Sequence, residues 1–184
     1  DSGMVGSLIA IYPLQILDWE KETFINSLDY VHKNYFHRKL FFQDIIHSGG
    51  NPYITMQIAH SYLLLGNRDL FNKVFNDVVS YASPTLNYPE AIHPLTGGGV
   101  IGDGHHGWAA AEVLSSIRDV FVYEKNYYSL NSIELILLSG LPKEWFRSNT
   151  EFSIKNIRVL CGLISISCKV ENESIEIIID YQSN

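Results

Sequence analysis

A helix that is apolar on every side has to be covered on every side. This chain alternates such helices with others that carry a single apolar stripe. Residues 4 to 17, MVGSLIAIYPLQIL, are apolar on nearly every face, and Pro13 is placed to kink or end the segment. DWEKETFINSLDYVHKNYF follows. Asp18 is placed to cap it, Glu20 and Glu22 sit in its first turn, and Phe24, Leu28, Val31 and Tyr35 recur at helical spacing. The pair then repeats. Asn51 and Pro52 open NPYITMQIAHSYLLLG as N-cap and first helical residue, and Gly66 closes it. In NRDLFNKVFNDVVSYA, residues Leu70, Val74 and Val78, with Phe71 and Phe75 beside them, make one face. A third apolar helix spans about 105 to 122. The order predicts two layers, with the apolar helices inside, the striped ones outside, and the long connections 37 to 51 and 83 to 105 gathered at one end.

From about residue 127 the pattern changes. IELILLSG, EFSIKNIRVL, GLISISCKV and ESIEIIIDY are β-branched, partly alternating and separated by Gly, Pro or Asn. They predict a small antiparallel sheet of three to five strands, with GLPKEWF as a connecting turn or short helix and Trp145 packed on the helices. The expected organisation is mainly α with a C-terminal β region: a helical domain over 1–126 and an antiparallel β domain over 127–184.

At 184 residues and 46% hydrophobic content, a sizeable core is available. The formal net charge of -7, with no basic cluster, argues against nucleic acid and anionic membrane as partners. No apolar run spans a bilayer and no signal peptide is visible, so a cytoplasmic location is expected. Cys161 and Cys168, at odd spacing, are placed on opposite faces of one strand and are not expected to pair.

The loop before the third apolar helix carries the polar chemistry. NYPEAIHPLTGGGVIGDGHHGW, residues 87 to 108, holds six glycines between positions 97 and 107. Each glycine raises the cost of ordering by roughly 0.5–1 kcal/mol relative to alanine, which suits a segment that must turn sharply or approach a ligand. Glu90 follows Pro89, outside any helical charge pair. It reads either as a general base acting on water or as an exposed loop acid. Asp103 lies in GDG. His93, His105 and His106 match no metal-binding spacing, so sugar hydroxyl binding or loop packing is expected of them, with no metal and no cofactor. Trp108 opens the helix as a sugar platform or a core residue. Glu112, on an otherwise apolar helix, needs a partner if buried, with Arg118 or a loop histidine as candidates.

The succession of these segments resembles the C-terminal part of the six-hairpin, (α/α)6-toroid glycoside hydrolases, most nearly the glucoamylase-like ones. SGGNPYITMQIAHSYLLLGN is similar to their segment in which Asn-Pro-aromatic opens an inner helix, here with Asn51 and Tyr53. NYPEAIHP is similar to their Pro-Glu motif, and HHGWAAAEVLSSI to the inner helix after it. The likeness spans roughly residues 45 to 118 in the same order. Ala91 stands where Gln is usual, and the triple glycine and GDGHH are not in the motif. The resemblance implies that 1–126 is a partial (α/α) toroid and that Glu90 is the base of an inverting mechanism. It also implies a carbohydrate site shared by Asn51, Tyr53, His93, Asp103, His105, His106 and Trp108. The general acid would lie upstream, in an earlier hairpin; within this chain Asp18, Asp44 and Asp103 are candidates only by elimination. The chain is then expected to be the C-terminal part of a longer enzyme, contacting its remainder or self-associating. Two other readings stand beside it: a non-catalytic carbohydrate-binding or scaffold protein, and a sugar phosphorylase. The loop Asn87–Gly104 is expected to line a sugar-sized cleft with Glu90 pointing into it, and 47–51 to form the neighbouring wall.

Overall fold

The computed structural model describes residues 2–16, 21–44, 49–125, 133–172 and 174–183. Asp18, Glu20 and His47, which carry expectations above, lie outside them. The chain divides into two compact units, Asp1–Ile117 and Arg118–Asn184, the division falling inside a helix.

The first unit opens with a 3-10 helix, Ser2–Ala10, and continues through helix α1 (Lys21–Tyr35) into strands β1 (Phe36–His37), β2 (Leu40–Gln43) and β3 (Gly49–Gly50). Helices α2 (Pro52–Leu64) and α3 (Arg68–Val79) follow, then β4 (Ala91–Ile92), β5 (Gly99–Ile101) and α4 (Gly107–Phe121). The five strands form one antiparallel sheet in chain order. Asparagines cap the starts of α2, as the sequence indicates, and of α3. Asn51 Oδ1 accepts the Ile54 amide at 3.0 Å, and Asn67 Oδ1 accepts the Leu70 amide at 3.1 Å.

The expected partial (α/α) toroid, mainly α with alternating inner and outer helices, is not what forms. Helices and three antiparallel sheets share the described residues, so the fold is mixed α/β, and the resemblance to the glucoamylase-like toroids is overturned with it. The connections read as loops, 37–51 and 83–105, contain β2 to β5 and the end of β1. Their glycines serve close strand approach as well as turning. A Cβ on Gly50 would lie 2.9 Å from the Leu40 Cβ, and one on Gly49 would lie 2.9 Å from the Ala91 Cβ. Of the three segments expected inside, only α2 is buried nearly all round. The described part of that first segment forms a 3-10 helix that ends at Ala10, ahead of Pro13, and leaves Ile9, Leu14 and Ile16 exposed. Helix α4 buries Ala109, Glu112, Ser116 and Asp119 while Trp108, Leu114 and Ile117 are exposed. By contrast α1 and α3 bury one stripe each: Leu28 and Val31, then Phe71, Val74 and Val78.

One histidine of this unit links packing to pH. His32 Nδ1 is 3.0 Å from the Tyr62 hydroxyl, and its ring stacks on Phe36 at 4.2 Å. Burial, and next the charge of Lys73, hold its pKa below the ordinary histidine value, against smaller opposing effects of Asp29 and Asp77. The unfolded chain therefore binds this proton more readily. The contribution to stability is complete above about 6.5, the free-histidine value, and is lost as pH falls through the lower folded value. Thermal unfolding should occur at lower temperature as pH is taken from neutral to mildly acid. The slope should flatten in His32→Phe, and an unchanged slope there would assign the acid sensitivity to other groups.

In the second unit, β6 (Val122–Lys125) and β7 (Glu134–Leu137) form an antiparallel ribbon. Strands β8 (Thr150–Val159), β9 (Gly162–Val170) and β10 (Ile175–Ser183) form a separate sheet in the order β10-β9-β8. Strand β9 alternates strictly: Ile164, Ile166, Cys168 and Val170 are buried, and the residues between are not. Arg118 holds both Asp119 and Glu124, and Glu124 accepts the Leu160 amide at 2.9 Å. Trp145 packs edge-on against Phe121 and Phe152. Cys168 sits on the buried face of β9, but Cys161 lies in the turn before it, and both are free thiols. Among the described residues no helix is long and apolar enough to cross a membrane.

Candidate functional site

The first unit contains a cleft of about 460 Å³. Its apolar lining comes from residues such as Val5, Leu8, Ile9 and Pro13, its aromatic lining from Tyr12, Tyr53 and Trp108, and its polar lining from Gln57, Ser61 and Glu112. Three elements meet there: the N-terminal 3-10 segment, α2 and α4. Tyr53 and Trp108 stack on each other at 4.4 Å with planes 25° apart. Trp108 keeps 53% of its surface exposed, so much of the indole remains available to a ligand.

Glu112 is the polar centre of this cleft and is only 7% exposed. Its Oε1 accepts from Gln57 Nε2 at 2.8 Å and from Trp108 Nε1 at 3.1 Å, and its Oε2 accepts from the Tyr12 hydroxyl at 3.1 Å. His60 Nδ1 lies 3.7 Å from Oε2, and the His60 ring stacks on Tyr12 at 4.1 Å. The i, i+4 spacing of Trp108 and Glu112 on α4 places both on one helical face. Gln57 and His60 project from α2. The partners expected for Glu112, Arg118 or a loop histidine, are not those found. A carboxylate fixed by three donors is a preorganised anionic group with little freedom to reorient.

The Asn87–His106 loop is wired to the start of α4. The His106 amide donates to the Tyr88 carbonyl at 2.8 Å, and His106 Nδ1 accepts the Ala109 amide at 3.3 Å, as an N-cap would. The His106 ring lies 5.1 Å from that of Tyr53. Asn87 Nδ2 meets His105 Nδ1 at 2.8 Å, and Asp103 Oδ1 accepts the His105 amide at 3.0 Å. His93 Nδ1 lies within 3.3 Å of the Leu95 and Thr96 amides, so that side chain organises the turn before β5. Glu90 enters β4 with its amide bonded to the Ile101 carbonyl at 3.2 Å. It is half-buried, and Gly102, with φ of 76°, passes beside it: a Cβ there would lie 3.7 Å from the Glu90 nitrogen. Among the described residues no hydrogen bond or ion pair occupies its carboxylate.

Of the residues selected from sequence, Tyr53 and Trp108 line the cleft and His106 touches Tyr53. Asn51 is buried as the cap of α2, with Nδ2 3.4 Å from Gln43 Oε1. Glu90, His93, Asp103 and His105 belong to the adjoining loop and do not line this cleft. Asp44 is exposed at the end of β2. Sequence reasoning did not select Tyr12, Gln57 or His60. The available signal was two large polar side chains, Gln57 and His60, in a helix whose other residues are apolar, aromatic or small hydroxyls. Among the described residues no three His, Cys, Asp or Glu converge to hold a metal ion. A larger hollow of about 730 Å³ in the second unit, lined by Asn149, Glu151, Lys169 and Glu171 among others, has no aromatic wall. There Lys169 is already paired to Glu171 at 2.7 Å.

Comparison with known protein families, curated proteins and solved structures finds no match for this chain.

Proposed function

We propose that this chain binds carbohydrate in the Tyr53–Trp108 cleft. The observation that carries the reading is the stacked aromatic pair beside the fixed Glu112 carboxylate. Pyranose rings present apolar C–H faces that lie on aromatic rings and hydroxyls that seek carboxylates and amides. This cleft offers both, with a volume in the range of small-molecule sites. A second reading is favoured by the half-buried carboxylate of Glu90, which has no partner among the described residues: the loop supplies the general base of an inverting glycoside hydrolase. Such a base activates water on one face of the sugar while a carboxylic acid on the other protonates the leaving oxygen. Free cysteine thiols favour a cytoplasmic location for either activity. Neither nucleic acid nor membrane is a partner in this reading.

Titration of the purified chain with gluco-oligosaccharides, followed by tryptophan fluorescence and protein NMR shifts, tests the binding site. Shifts should concentrate on Tyr12, Tyr53, Gln57 and Trp108. Trp108→Ala should weaken binding about tenfold or more, as loss of a large aromatic contact does. Absence of saturable shifts at these residues across a panel of neutral sugars would end the carbohydrate reading.

A further inference from the structure

Strand β10 is one of the two outer strands of its sheet, and all nine of its residues are exposed. Ile175, Ile177, Ile178, Ile179 and Tyr181 are among them, Ile178 at 59%. Proteins normally blunt such an edge with lysine, proline or a bulge. Ile175–Ser183 has no lysine, arginine or proline, and its nine-residue register with β9 is uninterrupted.

The direction of its free backbone groups follows from the hairpin. The Glu171 amide donates to the Ser174 carbonyl at 2.9 Å, which makes that facing pair a bonded one. Antiparallel pairs alternate between bonded and non-bonded. Residues 176, 178, 180 and 182 therefore bond to β9, while the amides and carbonyls of Ile175, Ile177, Ile179 and Tyr181 point away from it. Those four residues pair with Val170, Cys168, Ile166 and Ile164, the buried stripe of β9. The free backbone edge and the uncovered margin of the apolar face thus belong to the same residues.

We propose that β10 pairs with β10 of a second copy of this chain, antiparallel and centred on Ile179. Ile179 is the midpoint of the strand, so this register engages all nine residues of each copy. It keeps like face beside like face, joining the two apolar stripes into one. Ile179 faces Ile179, and Ile177 faces Tyr181. The acids avoid each other, with Glu176 opposite Gln182 and Asp180 opposite Ile178. Centring on Ile178 instead would set Glu176 against Asp180, and centring on Asp180 would set it against itself, both unfavourable. The strand is thus self-complementary in the one of these registers that also uses its full length.

Sedimentation equilibrium of the full chain, from micromolar to hundreds of micromolar, tests this. The wild type should show a monomer–dimer equilibrium. Ile179→Pro removes the central outward amide and leaves the β9 ladder intact, as proline does on the free side of an edge strand. It should weaken dimerisation about tenfold or more, with an unchanged circular dichroism spectrum. Ile178→Lys places an ammonium opposite Asp180 of the second copy, and should dimerise at least as tightly as wild type, with any gain lost at high salt. A wild type that stays monomeric throughout would overturn the proposal. So would Ile179→Pro dimerising as well as wild type, or Ile178→Lys dimerising as poorly as Ile179→Pro. A monomer that instead takes up an added extended peptide along β10 would overturn the second copy as its occupant.

Discussion

Glu112→Ala is expected to destabilise the first unit by roughly 3 kcal/mol, because hydrogen bonds to a charged group are worth about 1.5–3 kcal/mol each and are not additive. The substitution leaves the Tyr12 hydroxyl, the Gln57 amide and the Trp108 indole N–H without their common acceptor. Water reaching the cleft recovers part of each bond, which holds the loss below their sum. Glu112→Gln should cost less. A glutamine oxygen can still accept from Gln57 and Trp108, while the Tyr12 hydroxyl rotates to accept from the new amide. Thermal or urea unfolding of the two variants separates the possibilities. Equal losses for Ala and Gln would mean that charge, and not the acceptor geometry, holds the cluster. A loss under about 0.5 kcal/mol for Ala, the range of ordinary surface changes, would show that the cluster is not a structural centre at all.

Glu90→Gln is expected to leave unfolding and sugar binding unchanged, since no described partner of its carboxylate is lost. In the hydrolase reading it should lower turnover about 10²–10⁴-fold, the usual worth of general-base assistance. The measurement is hydrolysis of aryl and oligosaccharide glucosides by this chain, with wild type and variant compared under saturation. A variant within about threefold of wild type would remove Glu90 from the chemistry and leave the binding cleft as the function. A fall in turnover accompanied by an equal fall in stability would instead place Glu90 in the packing of β4 and β5.

The pieces of fold that were legible are those written in local pattern. Asn51-Pro52 marks the start of α2, and the face of Leu70, Val74 and Val78 with Phe71 and Phe75 marks the side of α3 on which Phe71, Val74 and Val78 are buried. The alternation of β9 announced a half-buried strand. What escaped was set by distant neighbours. Gly49 and Gly50 look like loop residues until Leu40 and Ala91 are seen to occupy the space a side chain would need. Two-residue strands such as β3 and β4 are too short to show a period. Helix α4 reads as apolar and was expected inside, yet the side it buries carries Glu112, Ser116 and Asp119, while Leu114 and Ile117 face outward. Composition reports how apolar a helix is, but only its partners decide which side turns in. The site divides the same way. Trp108 and Tyr53 were selected from local motifs, whereas Tyr12, Gln57 and His60 reach Glu112 from two other segments, up to 100 positions away in the case of Tyr12.

The five-stranded and three-stranded sheets also differ in how far along the chain their strands must search for each other. In the second unit β8, β9 and β10 are joined by short turns, from Val159 to Gly162 and from Val170 to Ile175. In the first, Gly50 pairs with Ile92 across the whole of α2 and α3. Loop closure has to be met before such a contact stabilises anything, so distant pairings form slowly and neighbouring ones fast. The meander can therefore zip early from its hairpins, while β4, and with it Glu90 and the glycine-rich loop, waits for the α2–α3 pair to dock. The same measure puts the Tyr12–Glu112 bond, 100 positions apart, beyond even that pairing, so the cleft rests on a contact more distant than any pairing of its sheet, while the meander rests on neighbours.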